Sequence, residues 1–229
     1  MSVARVVTRL ADAGLALTGS IPIAEYDALV PPPWRSAALA PGARSALVVG
    51  NAGRALWDRF ASSPERALAD DPLDAYTRRV LAEAARTLAP EAAIGFYADR
   101  REGVYLPLVA LARRAGFGSP GRVGVLIHPV YGPWIAIRAV LLTHEDLPFR
   151  EPAPFDPCTG CPAPCASACH GKVIGPRGVD SAACYQARLT LPACATACDA
   201  RSACVVGPEH AYSREQIAHH SRIRRPRSA

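Results

Sequence analysis

Hydrophobic residues recur at helical spacing in several stretches of the first half of the chain. The first stretch predicts a helix that Gly14 is suited to end, and its apolar positions are Val3, Val6, Val7, Leu10 and Ala13. A longer helix is predicted to begin near Asp70 and to close at Pro90. A third spans Leu106–Arg114 and is terminated by Gly116. These helices therefore present apolar faces to a core.

Other apolar segments have the extended or short, continuous pattern of strands. They are Leu15–Ile23, Ser45–Gly50, Ala92–Ala98, Arg122–Ile127 and Trp134–Leu142. Helices and strands do not alternate regularly, so the predicted class is α+β. Past Leu142 the composition changes, because prolines punctuate a linker into a cysteine-rich region. The sequence thus predicts an α+β domain over residues 1–150 and a cysteine module with a basic tail over residues 151–229.

All eight cysteines lie between Cys158 and Cys204, and the preceding residues contain none. Within this stretch the pentapeptide Cys-Ala-Ser-Ala-Cys, which begins at Cys165, resembles Cys-Ala-Thr-Ala-Cys, which begins at Cys194. Eight thiols in two similar groups are the number needed for two four-iron clusters, and in two-cluster ferredoxins the last cysteine of each group crosses to the other cluster. We therefore predict two ligand sets, namely Cys158, Cys161, Cys165 and Cys204, and Cys169, Cys184, Cys194 and Cys198.

Zinc, disulfides and ordinary reduced thiols are the competing interpretations of these cysteines. Zinc sites usually contain two Cys-x2-Cys pairs, whereas this chain has one such pair, at Cys158, with His170 as a further candidate ligand. Disulfides imply an oxidising compartment. Arg5, Arg9 and Asp12 interrupt the apolar residues of the amino terminus, which is unlike a signal peptide. Iron–sulfur binding is therefore predicted, from the number and repetition of the cysteines rather than from their spacing.

Composition and charge add limits on partners. Half of the 229 residues are apolar, and no apolar run approaches the roughly 20 residues of a membrane span. We therefore expect a cytoplasmic protein without a membrane partner. The net charge is +6, but the only lysine is Lys172, and much of the surplus lies in the tail, at Arg222, Arg224, Arg225 and Arg227. Short basic tails are usually solvated, so nucleic acid is not expected as a partner.

Two segments carry candidate binding chemistry. Gly116 and Gly118 follow a predicted helix and would let a flat ligand approach the backbone closely; a glycine-capped helix followed by a turn is the alternative. Arg138 lies within an apolar strand and therefore needs a buried carboxylate or an anionic ligand. His128 lies in the turn before that strand, and a histidine in a turn is more often structural than catalytic. The residues alone predict a redox module attached to a ligand-binding α+β body.

The order of several motifs resembles two related families. Arg114-Ala-Gly-Phe-Gly, Gly124-Val-Leu-Ile-His-Pro-Val-Tyr-Gly-Pro-Trp and a following cysteine module resemble epoxyqueuosine reductase, in which a corrinoid-binding body precedes a two-cluster ferredoxin module. Stretches similar to the CblC-type cobalamin-processing chaperone are Leu29-Val-Pro-Pro-Pro, Asp71-Pro-Leu-Asp, Ile127–Arg138 and Tyr212-Ser-Arg-Glu-Gln-Ile-Ala. The two families share a flavin-reductase-like (nitroreductase-like) α+β body, which is the fold that the resemblance implies for the first domain.

The resemblance implies cobalamin as a cofactor beside two [4Fe-4S] clusters. It puts the corrinoid against the segment from Gly116 to Trp134. The candidate contacts in this segment are Gly116, Gly118, Gly124, His128, Tyr131 and Trp134. Arg138 matches an arginine that the CblC family uses for glutathione, and Glu102 is the approximate counterpart of the catalytic aspartate of epoxyqueuosine reductase. Unlike the chaperone, this chain has a cysteine module, and Arg113 stands where the chaperone has a histidine.

The sequence therefore predicts a corrinoid-binding iron–sulfur oxidoreductase that reduces cobalamin or removes its upper ligand during cofactor processing. A low-potential donor would supply electrons to the clusters. Arg138 would steady an anionic group or a thiol cosubstrate such as glutathione. Two alternatives remain, namely epoxyqueuosine reduction in tRNA and a non-catalytic iron–sulfur or zinc electron carrier.

Overall fold

The computed structural model describes residues 3–88 and 93–221. The helices in this part are α1 (Val3–Asp12), α2 (Ile23–Leu29), α3 (Ser36–Leu39), α4 (Ala55–Ala61), α5 (Pro72–Leu88), α6 (Leu108–Arg114), α7 (Pro164–Ser167), α8 (Ser181–Thr190), α9 (Pro192–Ala195), α10 (Asp199–Ser202) and α11 (Arg214–Ser221). The strands are β1 (Leu17–Pro22), β2 (Ser45–Ala52), β3 (Ile94–Phe96), β4 (Arg100–Arg101), β5 (Val104–Tyr105), β6 (Ser119–Pro120), β7 (Leu126–Ile127), β8 (Ile135–Thr143), β9 (Ile174–Gly175) and β10 (Gly178–Val179). Three predicted features lie outside the described residues. They are Pro90, which was predicted to close the long helix, Ala92, which begins the predicted strand Ala92–Ala98, and the basic tail.

The chain divides into two compact units. One comprises the described residues up to Phe117 together with Ala136–Pro154, and the other comprises Gly118–Ile135 and the described residues from Phe155 onwards. The division expected from the sequence kept Gly118–Ile135 in the first domain, whereas these residues cluster with the cysteines. The first unit is therefore discontinuous in sequence, because the chain leaves it after Phe117 and re-enters it at Ala136.

A four-stranded sheet with the strand order β1-β2-β8-β3 forms the centre of the first unit. β1 pairs antiparallel with β2 from Leu17↔Gly50 to Pro22↔Ser45, and β3 pairs antiparallel with β8. β2 is buried from Ser45 to Asn51. A strand that is covered on both faces has a continuous apolar run in its sequence rather than an alternating one, and this explains the pattern that predicts β2.

Amphipathic helices cover one face of this sheet. Leu47 and Val49 of β2 join a core to which α1, α4 and α5 contribute, with the helical members Val3, Val6, Leu10, Leu56, Trp57, Phe60, Leu73, Tyr76, Val80, Leu81, Ala84 and Ala85. Gly14 ends the first helical segment at φ +87°, and a Cβ there would lie 2.4 Å from the Cα of Leu56. Glycine at this position therefore permits both the turn and the close approach of α4.

The second unit consists of short helices and two-residue ribbons. β6 pairs with β7 and β9 with β10, while α7 packs against α10 and α8 against α9. The carboxylate of Asp180 caps α8 by accepting a hydrogen bond from the N–H of Ala183 at 3.0 Å. Of the predicted strand Arg122–Ile127, only Leu126–Ile127 forms a strand, because Gly124 (φ +84°) belongs to a turn. No helix among the described residues is long and apolar enough to cross a membrane.

Candidate metal centre and cofactor-binding residues

Four cysteines surround a small cavity in the second unit. The cavity measures about 20 Å³, and the cysteines that line it are Cys158, Cys161, Cys165 and Cys204. Burial raises the pKa of the Cys165 thiol, and the neighbouring thiols raise it further because negative charges at adjacent sulfurs repel each other. The backbone N–H of Arg122 donates to the Sγ of Cys158 over 3.4 Å. The remaining lining is largely apolar, and Cys165 is buried while the other three thiols are partly exposed.

The other four cysteines line a larger cavity in the same unit. This cavity measures about 230 Å³, and its cysteines are Cys169, Cys184, Cys194 and Cys198. Burial raises the pKa of the Cys184 thiol, followed by the effect of Cys198, while the Arg188 guanidinium lowers it. Cys198 is exposed, whereas Cys165 of the first group is buried. The second group is therefore closer to solvent than the first.

Local sequence explains how these thiols are presented. Pro164 begins α7 and Pro192 begins α9, because proline has the φ of a first helical turn and lacks an N–H that would go unpaired there. Cys165 and Cys194 each follow close behind such a proline. Cys184 lies on α8, so three of the thiols are carried by short, rigid helical turns rather than by open loops.

The donor set of each group fits an iron–sulfur cluster. A four-iron cluster takes four thiolates, and N–H groups that donate to the sulfurs, such as that of Arg122, are typical of such sites. The two groups have the same membership as the two ligand sets predicted from the sequence, although ligation itself remains a prediction. Within residues 3–88 and 93–221, no three His, Cys, Asp or Glu side chains are close enough to hold a single metal ion.

His128 and Tyr131 lie in the turn that precedes β8, in the second unit. The Nδ1 atom of His128 accepts hydrogen bonds from the backbone N–H groups of Val130, at 3.0 Å, and Tyr131, at 3.2 Å. Burial lowers the pKa of His128, and the nearby His210 lowers it further. The neutral imidazole therefore holds this turn together, and a contact of His128 or Tyr131 with a corrinoid remains a prediction.

Trp134 lies beside the second cysteine group. Its side chain is 2% exposed and lines the 230 Å³ cavity. The Tyr212 ring is 5.2 Å away, and the Arg201 guanidinium lies over both rings, at 4.9 Å from Trp134 and 4.7 Å from Tyr212. Within the described chain, the indole Nε1 has no hydrogen-bond partner. Of the predicted corrinoid contacts, this residue is thus the one that the fold brings to the cysteines most directly.

The three predicted glycine contacts differ in their surroundings. A Cβ on Gly118 would lie 2.0 Å from the carbonyl oxygen of Ile127, and one on Gly124 would lie 2.4 Å from a methyl group of Val179. Packing within the second unit therefore accounts for both glycines without any ligand. Gly116 belongs to the first unit and has more open space, because its nearest neighbour would be Pro152 at 3.9 Å. Gly116 and Gly124 are both exposed, but of the three glycines only Gly116 combines exposure with the open space that a flat ligand needs.

Arg138 is a buried cation in β8 whose partner differs from the expected carboxylate. Its side chain is 6% exposed, and its Nε donates to the Oδ1 of Asn51 at 2.8 Å. No ion pair of Arg138 exists among the described residues. Asn51 is fully buried, and its Nδ2 has no partner in the same part of the chain. Of the two partners expected for this arginine, the described residues supply a neutral amide in place of a buried carboxylate, and an anionic ligand remains a prediction.

Glu102 lies at the tip of the β4–β5 hairpin in the first unit. It is exposed, and it adopts φ +49° beside Gly103 at φ +75°. Two consecutive residues with positive φ form the tight turn that best matches the twist of a two-stranded ribbon. The hairpin turn accounts for the backbone of Glu102, and a catalytic role for its carboxylate remains a prediction.

No protein-family model matches the sequence, and no curated protein matches it. Solved structures are similar to it. The B12-trafficking protein CblC from C. elegans, a homologue of human MMACHC, has a TM-score of 0.55 at 15% identity and covers 96% of this chain and 91% of its own. The catabolic reductive dehalogenase NpRdhA, in complex with 3-bromo-4-hydroxybenzoic acid, has a TM-score of 0.54 at 16% identity, with 91% of this chain and 32% of that chain covered.

Epoxyqueuosine reductase from Streptococcus thermophilus is a further similar structure, with a TM-score of 0.47 and 14% identity. The match covers 76% of this chain and 53% of the reductase, so this chain spans about half of that enzyme. Another epoxyqueuosine reductase structure that is similar to this chain contains an epoxyqueuosine-modified tRNA-Tyr stem loop. At these identities the likeness shows the fold, which is that of CblC and NpRdhA.

Proposed function

We propose that this protein is a corrinoid-binding iron–sulfur reductase that reduces cobalamin or removes its upper ligand. The observation that carries the proposal is the gathering of all eight cysteines into two groups of four, each around its own cavity. The fold shared with a B12-trafficking protein supports the corrinoid part. The proposal includes a nitroreductase-like fold for the α+β body.

Each group of thiolates would hold one [4Fe-4S] cluster, which when bound supplies single electrons at low potential. The chain itself holds three of the thiolates on helical segments and donates the N–H of Arg122 to the Cys158 sulfur. The lining of the first cavity is largely apolar and Cys165 is buried, whereas exposed Cys198 leaves the second group open to an electron donor. Electrons would therefore enter at the second group.

In the first unit, Arg138 would bind an anionic group of the corrinoid or of a thiol cosubstrate such as glutathione. A buried guanidinium with only an amide partner keeps donors available for an anion, and charge-assisted hydrogen bonds of this kind are the strong ones. Asn51 would orient the guanidinium by accepting from its Nε. Glu102, at the exposed hairpin tip, would be the proton donor if a proton is required.

Titration of the anaerobically reconstituted protein with cob(II)alamin tests this function. We expect the absorption spectrum to shift to the base-off form, and the reduced protein to convert the bound cobalamin to a lower oxidation state. Cys165→Ala and Cys198→Ala should still bind cobalamin but should reduce it more slowly. Arg138→Met, in the other unit, removes the proposed anion-binding group and should weaken the binding of cobalamin or of glutathione. An unchanged cobalamin spectrum would contradict the proposal.

The two alternatives have separate outcomes. Restoration of queuosine in a strain that lacks its own reductase would favour the tRNA enzyme. Colourless protein that contains zinc and has no affinity for corrinoids would favour a non-catalytic metal-binding protein.

A further inference from the structure

The larger cavity of the second unit contains a donor that the cysteines alone do not explain. Trp134 is buried to 2% exposure, it lines the cavity, and its indole N–H has no acceptor among the described residues. A buried N–H without an acceptor destabilises the folded protein, and such groups in native structures usually have a partner. The four thiol sulfurs of the second group line the same cavity.

Arg201 fixes the indole in this position. Its guanidinium lies 4.9 Å from the centre of the Trp134 ring, and its Nε donates to the carbonyl oxygen of Pro133, the preceding residue, at 3.1 Å. Arg201 belongs to α10, which begins directly after Cys198. The side chain that stacks on the indole is therefore carried by the same short helix that follows a cysteine of the group.

Among the described residues that line the cavity, the carboxylate of Asp199 is already engaged. The Oδ2 of Asp199 is 2.7 Å from the Nε2 of His170. The Arg188 side chain, which also lines the cavity, is a donor and contacts the carbonyl oxygen of Ser221. The most numerous acceptors on the cavity wall are thus the sulfur atoms of the four cysteines.

We infer that the Trp134 indole N–H donates a hydrogen bond to a sulfur of the cluster held by the second cysteine group. The inference rests on the proposed function, because it requires a cluster at this group, and it assigns Trp134 to the cluster rather than to the corrinoid. Hydrogen bonds to the sulfurs are one of the factors that set cluster potentials. Because the reduced cluster carries one more negative charge, the donor stabilises the reduced form and raises the potential.

Tyr212 supplies an internal control. Its hydroxyl is also buried without a partner among the described residues, and its ring lies 5.2 Å from that of Trp134 with 59° between the two planes. Tyr212 is absent from the lining of the cavity, however. Removal of the Tyr212 hydroxyl therefore perturbs the same aromatic pair without removing the donor at the cluster.

The experiment is an anaerobic redox titration of the reconstituted full chain, followed by electron paramagnetic resonance. Trp134→Phe removes the N–H, and replacement of Trp134 by benzothienylalanine removes it with almost no change of shape. Loss of one hydrogen bond to a charged acceptor corresponds to a change of about tenfold in the oxidation equilibrium, or about 59 mV for a one-electron couple. One of the two clusters should move to lower potential in both variants, and Tyr212→Phe should leave both potentials unchanged.

A second readout is the set of exchangeable protons coupled to the reduced cluster, which should lose one member in both Trp134 variants. Iron-loaded protein with an unchanged potential and unchanged proton couplings in the benzothienylalanine variant would overturn the inference alone. An equal shift in Tyr212→Phe would also overturn it, since it would indicate a general effect of the aromatic pair. Wild-type protein that binds no iron would overturn the proposed function and this inference with it.

Discussion

The buried pair of Arg138 and Asn51 makes a prediction about stability that is independent of any cofactor. Asn51→Leu keeps the number and branching of the side-chain heavy atoms but removes the acceptor of the guanidinium. The affected bond is the 2.8 Å contact from Nε to Oδ1, and both residues are more than nine-tenths buried. Because the cation would remain buried without this partner, we expect a loss of about 2–3 kcal/mol in the free energy of unfolding.

The double variant makes this prediction specific. Arg138→Met alone leaves Asn51 without its partner and should cost about 1–3 kcal/mol. In Asn51→Leu/Arg138→Met, both polar groups are replaced by apolar ones, which can be nearly neutral. We therefore expect the double variant to lose much less stability than the sum of the single variants, with a coupling energy of about 2 kcal/mol.

Urea unfolding under anaerobic conditions measures these differences. Trp34 and Trp57 lie in the same unit as the pair and report on its unfolding by fluorescence. The slope of the free energy against urea should be the same in all four proteins, so that the midpoints can be compared directly. Strictly additive losses, or a wild-type stability for Asn51→Leu, would refute the role of the amide as the partner of a buried cation.

Three further predictions concern the second unit. Gly132→Ala should destabilise the protein strongly, because its Cβ would lie 1.8 Å from the carbonyl oxygen of Val206. The control Gly160→Ala, with φ +73° but nothing within 4 Å of its Cβ, should cost only about 1 kcal/mol. Equal losses of stability in thermal unfolding would contradict the prediction. Burial lowers the pKa of His128 below its ordinary 6.5, so the folded state favours the neutral ring. The free energy of unfolding should therefore fall as the pH decreases through and below 6.5. His128→Asn should flatten this pH dependence, and an unaltered pH profile in the variant would contradict the prediction. Cys165→Ala should lose about half of the bound iron and keep the signal of the second cluster, whereas loss of both signals would mean that the groups are not independent.

The local pattern of apolar residues was sufficient to predict those helices and strands whose burial shows in their own sequence. The apolar stripe of α5 and the continuous run of β2 gave both elements, because each is buried along its length or along one face. The membership of the two cysteine groups followed from the number of thiols and from the crossover rule of two-cluster ferredoxins. Such rules depend on chain order, which the sequence contains.

The rest depended on contacts between distant parts of the chain. Gly118–Ile135 looks like a continuation of the first domain in sequence, but Gly132 packs on Val206 and Arg201 binds the carbonyl of Pro133, so the segment belongs with the cysteines. The predicted strand at Arg122 is interrupted because Gly124 turns the chain to admit Val179. No local pattern records these long-range neighbours.

Asn51 was missed for the same reason. A polar residue directly after the apolar run Ser45–Gly50 was the available signal, but such a residue is also typical of an ordinary turn between a strand and a helix. Its importance depends on a hydrogen bond to Arg138, which is 87 positions away in the sequence. An arginine in an apolar strand indicates that a partner exists, but it does not indicate whether that partner is a carboxylate, an anion or an amide.

Iron and acid-labile sulfide, measured on anaerobically purified full-length protein together with a spin count after reduction, test the central claim most directly. Two clusters held by eight thiolates predict about eight iron and eight sulfide atoms per chain, with two paramagnetic centres in the reduced state. Protein that contains zinc without sulfide, or disulfide-linked cysteines without metal, would contradict the account.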